Sequence, residues 1–280
     1  SAGGQEVSMK LIDSHVHISR ILGFYMPEKM VLEMMEKYNV DYALVSNCDA
    51  AEYGHNGKLI PKVLQKSQAD CFQRTITFAR KNPGKIGVLP WIKPTVETAD
   101  KKLEQMIAEN KDIVKGMKMH AFHSRMATDD DRMAPYVELA EAYDLPIMIH
   151  TGGCDEASPK RVCNMAKRYP KVKFIMAHMG LGTDNMEAIE MMGEAENLIA
   201  DTAWVPLNST VEIIRRYGSK RILFGSDSPI DGVDTYRYNK AGEPSLYIQY
   251  FSELENIIGT EAYEDLMYRN AMELFQIELE

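Results

Sequence analysis

Short apolar runs alternate with longer amphipathic stretches from one end of the chain to the other. Eight runs read as strands: residues 10–17, 41–47, 86–92, 114–120, 146–151, 172–178, 197–202 and 221–227. Several, such as PIMIH and KFIMAH, are nearly continuous in Val, Ile, Leu, Phe and Met. Strands of a parallel sheet read this way because helices cover both faces. Between the runs the spacing turns helical. Over 28–38, Met30, Val31, Met34, Met35 and Tyr38 share one face, and over 134–143 Tyr136, Val137, Ala140 and Tyr143 do the same. Segments 62–81, 96–110, 185–193 and 206–217 fill the other gaps, and 245–258 and 261–275 close the chain. Ser158 followed by Pro159 predicts a helix N-cap with proline at the first helical position.

Eight strand–helix units of roughly 30–35 residues each predict a single-domain α/β fold, a (β/α)₈ TIM-type barrel. The rival is a doubly wound open sheet, which offers a Gly-rich phosphate turn after its first strand. None follows His17.

Composition narrows the function. With 32 Lys+Arg against 41 Asp+Glu, the net charge of −9 argues against a nucleic-acid partner, which needs clustered cations. No apolar run approaches the roughly 18–20 residues that span a bilayer, so no membrane role is expected. Residues 1–8 (SAGGQEVS) carry neither Met nor an apolar stretch and read as an expression scar. The barrel is then assigned to 9–280. Four cysteines without a CxxC pair suit a reducing, cytoplasmic setting. Cys154, after Gly152 and Gly153, is read as an idle thiol near the chemistry.

The chemistry lies in the histidines. There are seven, and four of them, His17, His120, His150 and His178, end predicted strands. His15 lies two residues before His17 and shares its face of the strand. Asp227 ends the last strand, in GSDSP. In a barrel the C-terminal strand ends converge on one mouth. A single strand-end His is an ordinary buried residue; a set of them with a carboxylate, each from its own strand, predicts a divalent metal site. Imidazole and carboxylate donors put Zn²⁺ first, with Mn²⁺ as the alternative.

The segments LIDSHVHI, GMKMHAFH, LPIMIHTGG, FIMAHMGLG, ILFGSDSPI and NAMELFQI, in this order, resemble the amidohydrolase superfamily of metal-dependent barrels, specifically its amidohydrolase-2 type. The resemblance implies that His15, His17, His150 and Asp227 hold one metal. His178 would lie beside it, polarising substrate or positioning water, and Asp227 would also carry a proton. Lys118 and His120 would contact substrate. In binuclear relatives a carbamylated lysine on strand 4 bridges a second metal, which would give Lys118 that role and make His178 a ligand. Asp13 is expected to orient a ligand from behind, and Arg125 to bind a substrate carboxylate. Tyr53, His55 and His123 fall in loops at the mouth, and 228–244 reads as a lid or a surface loop.

The implied activity is hydrolysis, with metal-activated water attacking an amide, ester or lactone carbonyl of a small molecule. The alternative is metal-dependent non-oxidative decarboxylation of an aromatic or unsaturated carboxylic acid. A phosphoesterase would place a carboxylate ligand on strand 4, where Lys118 and His120 stand instead. A non-catalytic relative would have lost a ligand, and every ligand position is filled. The family also implies a homodimer.

Overall fold

A computed structural model describes residues 9–20, 25–229 and 246–279. Eight parallel strands follow one another in chain order: β1 (Ile12–Ile18), β2 (Tyr42–Asn47), β3 (Ile86–Val88), β4 (Met117–His120), β5 (Ile147–Gly152), β6 (Phe174–Leu181), β7 (Leu198–Asp201) and β8 (Ile222–Leu223). Ladders join β1 to β3 and β4 to β8, and two seams turn these sheets into a ring. At one seam, Val88 bridges to Val114 and Trp91 to Lys118. At the other, Val16 bridges to Ser228, while the Ser14 N–H donates to the Phe224 carbonyl at 2.9 Å and the Asp227 N–H to the His15 carbonyl at 2.8 Å. This closed barrel is the predicted architecture.

Register explains the split between core and site. Lys118 pairs with Met148 and His120 with His150, so these four share the lumen face; Ile175 and Ala177 continue the two rows on β6. Apart from Lys118 the deeper row is apolar, and Met148, Ile175, Ile199 and Leu223 form one buried cluster that Phe275 and Ile277 join from the C-terminal end. The histidines and Asp227 enter above it, at the C-terminal strand ends.

Helices follow the strands, with local chemistry setting their ends. α1 (Glu28–Tyr38) buries Met30, Val31, Met34 and Met35, as its spacing predicts. α2 (Gln68–Lys81) starts later than residue 62 because Ser67 caps it, its hydroxyl accepting from the Asp70 N–H; residues 62–64 form a separate 3₁₀ turn. α3 (Lys101–Glu109) likewise begins after Asp100, whose carboxylate accepts from the Leu103 N–H, not at 96. α4 (Ala121–Ser124) is a short unpredicted turn, followed by α5 (Ala134–Ala142), α6 (Pro159–Arg168), α7 (Met186–Met192) and α8 (Leu207–Tyr217). Ser158 does occupy the N-cap of α6, but its side chain makes no capping bond.

Two departures matter more. The chain closes in four short helices, α9 (Leu246–Ser252), α10 (Leu254–Ile258), α11 (Thr260–Glu264) and α12 (Asn270–Leu274), with a π-turn over Asp265–Arg269, where two longer helices are predicted. And β8 leaves the ladder after Leu223, so Asp227 sits beyond it in a left-handed conformation (φ 63°). The lid expected over 228–244 falls almost wholly outside the described residues, as does 1–8. No helix among the described residues is long and apolar enough to cross a membrane.

Candidate metal centre

A cavity of about 470 Å³ opens where the strands end, and all seven histidines line it, together with Lys118 and Asp227. The rest of its wall is largely apolar and aromatic: Met26, Trp91, Phe122, Leu181 and Trp204. Cys48 lines it too, whereas Cys154 does not.

Three imidazoles converge on one carboxylate. Asp227 Oδ1 lies 2.8 Å from His17 Nε2 and 3.2 Å from His15 Nε2, and Asp227 Oδ2 is 3.7 Å from His178 Nε2. One donor atom each from His15, His178 and Asp227 falls within 4.8 Å of the other two. What lies behind each ring decides which way its lone pair points. His15 Nδ1 is 3.0 Å from Asp201 Oδ2, and His178 Nδ1 is 2.9 Å from the Ala203 carbonyl. Both partners only accept, so these Nδ1 atoms carry hydrogen and donate. Their Nε2 atoms then face Asp227, each with a lone pair when its ring is neutral. His17 Nδ1 is held at 2.9 Å by the Ser46 hydroxyl. Neutral rings and a carboxylate facing one another in a buried site would be joined by a cation, and this donor set suits a borderline divalent ion.

The left-handed backbone at His178 (φ 70°) and Met179 (φ 51°) aims the first ring inward. Asn185 supports that turn, its side-chain amide donating to the carbonyls of both residues.

Burial sets the charges. It holds His120 and His150 well below the usual imidazole range and brings His17 and His123 down to about 4, so these rings are neutral at pH 7. Burial and the Lys118 ammonium also oppose a charge on His15, yet Asp227 and Asp201 outweigh them and raise it to about 9. Burial resists ionisation of Asp227, but the surrounding imidazoles, His15 first, hold its carboxyl well below the ordinary range.

The profile of a family described as Amidohydrolase, the amidohydrolase-2 type, matches residues 12–277. The chain belongs to the amidohydrolase-2 family. Members of this family are metal-dependent enzymes, decarboxylases and hydrolases among them. No curated protein sequence matches the chain. Solved structures of the same fold do. The 5-carboxyvanillate decarboxylase from Sphingomonas paucimobilis is 12% identical with a TM-score of 0.70, covering 97% of this chain and 100% of that one. A dihydroxybenzoic acid decarboxylase from Polaromonas, with bound manganese and the inhibitor 2-nitroresorcinol, is 14% identical with a TM-score of 0.67, covering 96% and 97%. A probable 2-pyrone-4,6-dicarboxylic acid hydrolase from Acinetobacter baumannii, with citric acid bound, is 12% identical with a TM-score of 0.64, covering 96% and 100%.

Against the expectations for an amidohydrolase-2 barrel, the structure brings His15, His17 and Asp227 together and adds His178 to them. His150 stands one ring away: its Nε2 meets the Gly152 carbonyl at 3.0 Å, and its ring stacks on His120 at 3.8 Å. Lys118 lies deepest, with Nζ 3.3 Å from His15 Nε2. Arg125 is not among the lining residues; it is exposed, and its guanidinium lies 5.7 Å from the Tyr53 ring. The left-handed backbone at Arg125 (φ 47°) ends α4. Asp13 grips backbone, not a ring. Its carboxylate accepts from the His15 N–H at 3.1 Å, from the Ser226 N–H at 3.0 Å and from the Ser226 hydroxyl, tying β1 to the chain beyond β8. The ring of His15 is held by Asp201, which the sequence reading missed. Asp201 is an acid ending a strand, the same signal that singled out Asp227.

Below the mouth, Glu52 anchors the loop after β2. Its side chain accepts from the Ser124 hydroxyl at 2.7 Å, and its N–H donates to the His123 carbonyl at 3.1 Å. Burial raises its carboxyl to about 7 from an ordinary 4.5. A carboxyl with a raised folded-state pKa gives its full contribution to stability below the unfolded value and loses it as pH rises through the folded one. The wild-type protein should therefore lose stability relative to Glu52→Gln between pH 4.5 and 7. Urea denaturation of both proteins across that interval checks this, and a constant difference between them would refute it.

Proposed function

We propose that this chain is a metal-dependent hydrolase that cleaves an amide, ester or lactone of a small molecule at its carbonyl. The observation that carries the reading is the setting of Asp227, a buried carboxylate whose two oxygens face three oriented imidazoles at the mouth of the barrel. His15, His178 and Asp227 would hold the ion, with His17 beside them. When bound, a divalent ion such as Zn²⁺ or Mn²⁺ polarises a carbonyl and makes water more acidic.

The other roles fall to the chain itself. Asp227 accepts the proton of the attacking water and returns it to the leaving group, general base and then acid at one carboxylate. His178, its ring fixed by the Ala203 carbonyl, presents its Nε2 lone pair to the ion site beside the carbonyl under attack. His120 Nδ1 accepts from the His123 N–H at 3.3 Å, so its Nε2 carries the hydrogen and donates to substrate. Lys118 supplies a cation at the cavity floor. Trp91, Phe122 and Trp204 exclude bulk water around them.

A second reading, non-oxidative decarboxylation of an aromatic or unsaturated acid, draws on one feature of the wall. Trp91, His120 and His150 stack almost parallel, at 5.4 Å and 13° and then 3.8 Å and 12°, which offers a flat surface to a planar substrate. Decarboxylases of such acids share the fold.

The test is a screen of carbonyl and carboxylate substrates with metal-loaded protein in ¹⁸O-labelled water. Label in the product without CO₂ supports hydrolysis; CO₂ without label overturns it in favour of decarboxylation. Chelation should abolish either activity, and added Zn²⁺ or Mn²⁺ should restore it. Elemental analysis should find one metal per chain. Two would assign the second to a carbamylated Lys118.

A further inference from the structure

We propose that Asp201 is a positioning residue that aims both His15 and His178 at the metal, and that position 225 must be glycine to admit it. This rests on the metal reading above.

Asp201 ends β7 and is fully buried. A single oxygen, Oδ2, takes two hydrogen bonds: from His15 Nδ1 at 3.0 Å and from the His178 backbone N–H at 3.1 Å. One atom on β7 thereby ties β1 to β6 and fixes two converging rings relative to each other. For His15 the bond sets the tautomer, since an acceptor at Nδ1 leaves the lone pair on Nε2. For His178 it steadies a residue whose left-handed backbone is uncommon outside glycine. The Ala203 carbonyl, two residues along the same segment, holds the His178 ring.

The other oxygen has a different neighbour. Asp201 Oδ1 is buried without a hydrogen-bond partner, a costly state for a carboxylate oxygen. A Cβ on Gly225 would lie 2.2 Å from it and 2.8 Å from the His15 Cβ. Any side chain at 225 would push on the positioning carboxylate and on a ligand together, so the glycine of FGSDSP has a steric reason that needs no turn.

Carboxylates behind a ligating histidine are worth about 10–100-fold in metal affinity. The test titrates Zn²⁺ against a chelator and records the visible spectrum of Co²⁺-loaded protein for wild type, Asp201→Ala, Asp201→Asn and Gly225→Ala, with the melting temperature of each metal-free form. Asp201→Ala should bind Zn²⁺ about 10–100-fold more weakly and shift the Co²⁺ bands. Asp201→Asn, whose amide oxygen can still accept both bonds, should recover much of the loss. Gly225→Ala keeps the carboxylate but displaces it, so it should weaken binding as well; it decides the matter if Asp201→Ala fails to fold. Wild-type affinity and spectrum in Asp201→Ala and Gly225→Ala would overturn the positioning role alone. Asn no better than Ala would overturn the hydrogen-bond account. Wild-type protein that takes up no stoichiometric metal would overturn the metal reading and this role with it.

Discussion

Asp227→Asn should lower kcat by about 10³-fold, within the range that a positioned acid–base group contributes, and leave the protein folded. The side chain is buried between His15, His17 and His178, and an amide of the same shape fills the same space. What it removes is a negative charge and a basic oxygen. The charge helps to bind a cation; the oxygen takes the proton of water. Once the metal is saturating, the lost base acts on the chemical step, so kcat should fall far more than KM changes. Steady-state kinetics on metal-saturated protein, with metal content measured alongside, is the check. Activity within tenfold of wild type would remove Asp227 from the mechanism.

Gly152→Ala should cost about 3–5 kcal/mol of stability, the sum expected when overpacking and a strained backbone coincide. Gly152 has φ 100°, where a Cβ is poorly tolerated, and that Cβ would lie 2.3 Å from the Leu181 nitrogen and 2.5 Å from its carbonyl oxygen. These are backbone atoms of the paired strand and cannot turn aside as a side chain can. Gly153 is the control. Its φ is 93°, but its Cβ would meet only Phe122, at 4.0 Å, so Gly153→Ala carries the conformational strain alone, about 1–3 kcal/mol. Urea denaturation of the two variants separates collision from strain. Equal losses would mean that the contact with Leu181 is relieved by movement.

The barrel and most of its mouth were legible before any coordinates because parallel strands impose a simple rule. A strand buried on both faces is an apolar run, and its last residue is delivered to the rim. His17, His120 and His150 could be placed that way because each stands at, or within two residues of, the end of its ladder. Asp227 obeyed the rule only loosely: the ladder stops at Leu223, and bonds across the seam carry the chain on to the site. Such bonds join residues more than 200 positions apart and leave no local pattern. Asp201 carried the right signal and was passed over because its partner, His15, lies on another strand. Arg125 shows the opposite case: it is exposed and outside the cavity wall. Charge type suggested a substrate carboxylate for it, while its guanidinium lies against the Tyr53 ring, 5.7 Å from the centroid, a contact that charge type does not reveal. Helix starts at Ser67 and Asp100 depended on one side-chain cap each, which outweighed the apolar spacing upstream.

The seam between β1 and the segment after β8 has a consequence for how the protein comes into being. His15 and His17 lie near the start of the chain, Asp227 near its end, and Asp13 grips Ser226 between them. A nascent polypeptide still on the ribosome at residue 200 holds every histidine of the cavity and lacks the carboxylate that unites them. If these residues hold the proposed ion, full coordination waits until the ring is sealed. An ion caught there afterwards clasps the two ends together, because a ligand that binds only the closed form adds its binding free energy to closure. On the proposed reading, scarcity of the metal during synthesis would then be felt in how firmly the barrel closes as well as in its chemistry.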